Sequence, residues 1–379
     1  MILQMHFEVC RETPTHSTVA NWVYKLGYYE LHRPKDWAED WIIFLDHSIQ
    51  LGQDKLFVVY GIREYQIDFT RPLSYADLHA CVLTSKTSWT GELVCESLTE
   101  LARRIGPIKY AVGDYSGELK KGLQLASIRQ IHDITHAIAL MLEKLYTADE
   151  TYQTFTTRMS AMRTKYSQSR LAALIPPKQR KKSRYQNLKT IADWATKALR
   201  TLTSVAGQSH PEAQAIQQAL AWLLPYTGWI AELSTINTVI CQVEHLVKCH
   251  GRSTKTVKRC RPLLTELAAR SRGSGRVLKQ QLEHYFHTSL KLIRESPQLV
   301  CTSDILESAF GKYKNYLSNN PMAGVTKLAL VIAAFTSSLE EEDIRAAVET
   351  TRMKDINTWT EQHIGTTLFA QRKVLLSGG

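Results

Sequence analysis

The chain has 379 residues, 44% of them hydrophobic, enough for a sizeable core and for two or three domains. Its 47 Lys and Arg against 36 Asp and Glu give a net charge of +11 and an isoelectric point near 9.2, a balance that favours a polyanionic partner, of which nucleic acid is the commonest. No apolar stretch reaches the roughly 18–20 residues needed to cross a bilayer. The first residues lack the basic-then-apolar pattern of a secretion signal. The seven cysteines are scattered without a CxxC pair, which reads as reduced thiols in a cytoplasm.

Residues 1–35 read as helix, turn, helix. A short amphipathic piece runs to about Glu12, Thr13-Pro14-Thr15-His16 breaks it, and a second helix follows from Ser17, with Gly27 as its stop. Val19, Trp22, Val23 and Leu26 fall at i, i+3, i+4 and i+7 and make one buried face. The opposite face carries Thr18, Asn21 and Lys25, which suit a DNA groove, so the segment resembles a helix-turn-helix, truncated at its start. An ordinary helical hairpin fits the same pattern.

Residues 40–115 alternate strands and a helix. Trp41–Asp46 is a buried strand, Lys55–Ile62 a second and Leu78–Thr84 a third. Gly91–Ile105 is helical, with Leu93, Val94, Leu98, Leu101 and Ile105 on one stripe, and Ile108–Val112 is the fourth strand. Strand, strand, strand, helix, strand is the opening of an RNase H-like layout. Beyond Asp114 the pattern turns helical: 131–146, 151–171, 186–206, 211–249, 256–270 and 276–295, with Pro176-Pro177 and a basic run marking a loop. The span is too long for one crossover. The expected fold is α/β, with an RNase H-like mixed sheet interrupted by an all-helical insertion. The expected domains are 1–35 (helix-turn-helix-like), 36–149 (core, first part), 150–298 (helical insertion) and 299–379 (core, last part, and a helical tail).

Three carboxylates stand out. Asp46 ends the run Trp41-Ile42-Ile43-Phe44-Leu45, Asp114 ends Tyr110-Ala111-Val112-Gly113, and Glu307 lies in Ser303-Asp304-Ile305-Leu306-Glu307-Ser308, which opens a helix. Alone, each is an ordinary turn or surface residue. Together, on a basic chain, they suggest a two-metal site. In-line attack on a phosphodiester needs an activated oxygen nucleophile and a stabilised leaving oxygen, and two divalent ions about 3.5–4 Å apart supply both. Hard ions such as Mg²⁺ take carboxylate oxygens. Asp304 competes with Glu307 one turn away, but with Ser303 it reads better as a helix cap.

Two basic clusters lie between Asp114 and Glu307. One is Lys178, Arg180, Lys181, Lys182, Arg184 and Lys189; the other is Arg252, Lys255, Lys258, Arg259 and Arg261. Both are expected to meet DNA phosphates, which dominate affinity. Cys241-x3-His245-x3-Cys249 does not read as zinc, because its cysteines stand about 12 Å apart along a helix axis. No GxxxxGK[ST] loop points to a nucleotide cofactor. Trp194, Trp222, Tyr226 and Trp229 read as core of the insertion, with a base-stacking tryptophan as the alternative.

Phe44-Leu45-Asp46-His47-Ser48, Val112-Gly113-Asp114, Asp133-Ile134-Thr135-His136 and Leu306-Glu307-Ser308 come in an order that resembles the DDE transposases of insertion sequences. The helical insertion before the Glu is similar to that of the hAT and Mutator-type groups. Those groups carry a Cys/Asp-x-x-His motif after the second Asp, and Asp133-x-x-His136 lies 19 residues after Asp114. The resemblance implies that Asp46, Asp114 and Glu307 hold two Mg²⁺ ions (Mn²⁺ as substitute), with Asp133 and His136 bracing the ligands or positioning a flanking strand. It implies strand cleavage and strand transfer on double-stranded DNA, at element ends and target, by a homo-oligomer associated with the nucleoid. A transposase-derived DNA-binding protein without catalysis and an RNase H-fold nuclease or resolvase are the competing readings.

Overall fold

A computed structural model describes residues 13–48, 54–179, 188–271, 273–289, 296–317 and 325–365. The chain divides into two compact units. One joins Met1–Asp133 to Thr302–Gly379, and the other is Ile134–Cys301.

The first unit is built on a five-stranded mixed sheet of order β3-β2-β1-β4-β5. Its strands are β1 (Trp41–His47), β2 (Lys55–Arg63), β3 (His79–Lys86), β4 (Ile108–Gly113) and β5 (Gln130–His132). β1 pairs antiparallel with β2 and parallel with β4. A central strand covered on both faces needs apolar residues at every position rather than at alternate ones, and Trp41 to Leu45 are all buried. On one face Trp41, Ile43, Leu45, Phe57, Val59 and Ala111 pack against Val94, Leu98, Leu101 and Ile105, the stripe of a helix over Gly91–Ile105. Leu119 and Leu123, from a helix over Gly117–Leu125, complete that core. On the other face the Tyr60 hydroxyl donates to the Ile332 carbonyl at 2.7 Å, in a short helix over Leu330–Ala334.

The first described helix, His16–His32, belongs to this unit. It packs on Leu330–Ala334, on helices over Glu341–Thr350 and Met353–His363, and on β3. It runs five residues past Gly27, the expected stop. Gly27 serves contact instead, since a Cβ there would lie 2.1 Å from the Leu330 carbonyl oxygen. The buried face is therefore Leu26, Gly27, Glu30 and Leu31, and Val19, expected inside, is 38% exposed. The first expected helix, residues 1–12, lies outside the described residues.

The second unit is helical. Among its described residues the one β pairing is an isolated bridge between Arg252 and Leu299. The division falls at Ile134 and Cys301, whereas 150 and 298 were expected, because the helix Ile134–Tyr146 packs on helices over Ser274–Thr288 and Thr227–His250 of this unit. A single helix expected over 211–249 is three elements: Pro211–Leu220, a 3₁₀ segment Ala221–Tyr226 containing Pro225, and Thr227–His250. The ring of Phe155 lies 5.3, 5.2 and 4.8 Å from those of Trp222, Tyr226 and Trp229, and Trp194 stacks on Trp222 at 6.3 Å, an aromatic core for this unit. Among the described residues no helix is long and apolar enough to cross a membrane.

Candidate active site

Strand alternation decides where the two aspartates point. Trp41, Ile43 and Leu45 face the Gly91–Ile105 helix, so Ile42, Phe44 and Asp46 face the other side. Ala111 likewise faces that helix, so Tyr110, Val112 and, one step past the strand end, Asp114 face away from it. The parallel register pairs Phe44 with Val112, and two further residues set Asp46 beside Asp114. Gly113 allows the strands to close here, since a Cβ on it would sit 2.7 Å from the Leu45 carbonyl oxygen. Two half-buried carboxylates thus share one face at the carboxyl ends of adjacent parallel strands, whose axes run about 4.8 Å apart.

Both are held by backbone amides. Asp46 Oδ1 accepts the His47 N–H at 2.7 Å, and Asp114 Oδ1 accepts the Ser116 N–H at 3.1 Å. The Asp114 carbonyl also accepts Gln130 Nε2 at 2.6 Å. His47 turns to the opposite face, where its ring lies 5.1 and 5.2 Å from Phe57 and Trp89. Burial pushes its pKa down to about 4, against the pull of Glu118 and Asp114, so the imidazole is neutral at physiological pH.

Glu307 is carried by the helix Asp304–Leu317, which buries Leu306, Ala309, Phe310 and Tyr313 and packs on β1 within the same unit. Glu307 itself is on the exposed side. Lys314, two turns further along the helix, is half-buried. Burial lowers its pKa, while Asp46 and Glu307 both act on its ammonium in the opposite sense. This lysine thus lies within the electrostatic reach of a strand carboxylate and of the helical one. Among the described residues no three His, Cys, Asp or Glu side chains form a group able to hold a metal ion, so Glu307 is not gathered with the aspartates into a ready-made set.

Asp133 is buried against the start of the Glu307 helix. It is 1% exposed, and its Oδ2 accepts the Ser303 N–H at 2.6 Å and the Ser303 hydroxyl at 3.2 Å. Its own N–H donates to the Gly113 carbonyl at 2.9 Å. Ser303 immediately precedes the Glu307 helix, and its amide is one of those that a helix start leaves without an internal partner. Asp133 therefore ties the end of β4 to the start of that helix, the service a capping-box carboxylate performs locally. His136 lies in the first turn of Ile134–Tyr146, in the other unit.

No family model matches this chain, and no curated protein matches it. Among solved structures it is similar to a Drosophila P element transposase strand transfer complex. The two are 11% identical over 88% of this chain and 87% of that one, with a TM-score of 0.42.

The expected DNA contacts separate into distinct groups. Lys178, Lys255, Lys258 and Arg259 are exposed. Arg180, Lys181, Lys182 and Arg184 lie outside the described residues. Arg252 is 0% exposed and leaves the list of surface contacts. Its guanidinium lies 5.5 and 6.0 Å from the ring centroids of Tyr285 and Phe286, a cation–π setting inside the helical unit. Lys25 is also diverted: its Nζ donates at 2.6 Å to the Val348 carbonyl, near the end of the helix Glu341–Thr350, where carbonyls lack helical partners. Thr18 completes the helix start, with its N–H on Thr15 Oγ1 at 3.2 Å and the two hydroxyls 2.9 Å apart. Asn21 is half-buried on the same helix.

The elements that sequence reading passed over are Lys314, the three-residue β5 and the helix Gly117–Leu125. Lys314 carried a legible signal, seven residues after Glu307 and so on the same helical face.

Proposed function

We propose that this chain is a DNA transposase that cleaves and joins phosphodiesters with Asp46, Asp114 and Glu307. One observation carries the reading: Asp46 and Asp114, at the carboxyl ends of neighbouring parallel strands, share one face of the sheet, and the Glu307 helix is fastened to the end of β4 through Asp133. The donor chemistry fits Mg²⁺, which takes hard oxygens from one or two carboxylates and completes its shell with substrate oxygens and water. Asp46, Asp114 and Glu307 would hold the ions. When bound, they would supply Lewis acidity to the attacking and leaving oxygens of an in-line displacement. The protein's own part is positional. The His47 and Ser116 amides fix the two aspartates, and Asp133 sets the start of the Glu307 helix. Lys314 offers a cation to the charge gathered there. The exposed Lys178, Lys255, Lys258 and Arg259 are the proposed duplex contacts, and element ends and target DNA held by a homo-oligomer are the proposed partners.

The test is Asp46→Asn, which keeps size and removes the charge a metal ligand needs. Cleavage and joining of a labelled end with Mg²⁺ or Mn²⁺ should be abolished, while gel-shift binding of the same DNA persists. A variant that cuts at the wild-type rate removes Asp46 from the mechanism. A second reading, a transposase-derived DNA-binding protein without catalysis, is favoured by the lack of a preassembled three-residue set at Glu307. Wild-type protein that binds ends but cuts with neither metal would establish it.

A further inference from the structure

Tyr115 follows Asp114 directly and is 45% exposed, so burial does not account for its position. Yet its backbone and one face of its ring are fixed. Asp114 before it accepts Ser116 N–H and Gln130 Nε2, which fixes the backbone on both flanks. Its ring lies flat on His132, with centroids 3.9 Å apart and planes 11° apart. His132 is 9% exposed and ends β5, so the platform beneath the ring is rigid. Lys120, one turn into the helix Gly117–Leu125, holds its Nζ 5.8 Å from the ring centroid.

A singly exposed tyrosine is ordinary on a protein surface. A pre-oriented ring with a cation over it, one residue from a carboxylate at the end of β4, is the combination single-stranded nucleic acid meets: an aromatic face for a base and a positive charge for the phosphate beside it. The lysine stem is flexible and exposed, so Lys120 can swing from the ring to a phosphate when a base takes its place.

We infer that Tyr115, stacked on His132, is the platform for an unpaired base of the DNA flanking the cleaved bond, with Lys120 on the adjoining phosphate. This rests on the DNA-cleaving reading above. Base stacking on an aromatic side chain accounts for about 5- to 150-fold in affinity, from 1–3 kcal/mol at 1.4 kcal/mol per tenfold.

The probe is a forked duplex with a thymidine arm and one 2-aminopurine at the junction, compared with a blunt duplex of the same sequence, both in EDTA. Wild-type protein should bind the fork more tightly and quench the 2-aminopurine. Tyr115→Leu should lose the quenching and bind the fork about 5- to 150-fold more weakly, with blunt-duplex affinity unchanged. Tyr115→Phe should retain both. Four results overturn the inference: no preference of the wild type for the fork, an unchanged fork affinity in Tyr115→Leu, an equal loss on both DNAs, or a Phe variant as defective as Leu. Without metal these measurements are blind to catalysis, so failure of the cleavage reading, tested by Asp46→Asn, is separable from failure here.

Discussion

Removing the Asp133 carboxylate should loosen the helix that carries Glu307 while leaving the sheet in place. The side chain is 1% exposed and makes two bonds to Ser303, of 2.6 and 3.2 Å. Hydrogen bonds to a charged group contribute about 1.5–3 kcal/mol each, the longer one toward the low end, and a buried amide left without a partner costs about 1–3 kcal/mol. These terms overlap, so Asp133→Ala should destabilise the first unit by about 2–4 kcal/mol. Asp133→Asn keeps an acceptor for the Ser303 amide and loses the charge, which should cost about 1–2 kcal/mol. Ser303→Ala gives up only the longer bond and should cost about 1 kcal/mol. Urea unfolding followed by a probe in the first unit gives the order wild type, Ser303→Ala, Asp133→Asn, Asp133→Ala. Amide exchange at Ser303 to Leu306 should quicken in the Ala variant, while exchange in β1 and β4 changes only as much as global stability does. An Ala variant with the wild-type urea midpoint and unchanged exchange at Ser303 would refute the account of Asp133 as the fastening of that helix.

Glu30 is fully buried beside Arg33 at 3.0 Å, and burial raises its pKa from 4.5 to about 7. An acid whose folded pKa is raised favours the folded state least when ionised, so stability should fall as pH climbs from about 4.5 through 7. The advantage of Glu30→Gln over wild type should therefore grow by about 3 kcal/mol between pH 4 and pH 8, and a pH-independent difference in unfolding free energy would count against it. Replacing Lys255, Lys258 and Arg259 together by Ala should weaken binding to every DNA sequence alike and lower the slope of log K against log salt by about 2–3, read in a titration series. Gly27→Ala should destabilise by about 1–3 kcal/mol or more, seen as a lower melting temperature, because its Cβ would meet a backbone oxygen at 2.1 Å.

What the sequence disclosed follows from the reach of each interaction. β1, β2 and the helix Gly91–Ile105 were legible because a buried strand and an amphipathic helix write their environment into adjacent residues. The shared face of Asp46 and Asp114 was half legible: each ends an apolar run, but only the parallel register brings the two ends together. β5 was hidden because three residues cannot establish a period, and the helical pattern after Ile134 swallowed them. The diversions of Lys25 and Arg252 from the expected DNA contacts have one cause. Val348 is 323 residues from Lys25, and the aromatic pair beside Arg252 lies on the helix Ser274–Thr288. A polar side chain whose partner is that remote reads, in sequence, as a surface residue.

The Asp133–Ser303 fastening also sets a timetable. The stretch it closes off, Ile134–Cys301, is 168 residues long. At about 5–20 residues per second a ribosome needs roughly 8–34 s to make that stretch, so all five strands emerge well before the helix that bears Glu307. A nascent chain in that interval carries both aspartates and no third carboxylate from that helix, and an early stop before residue 303 leaves it so. Joining the ends is thermodynamically mild, since doubling the length of a flexible loop adds only about 0.6 kcal/mol of closure entropy. The inserted unit could thus be exchanged for a longer or shorter one with little strain on the sheet, provided its two ends still deliver Asp133 and Ser303 to each other.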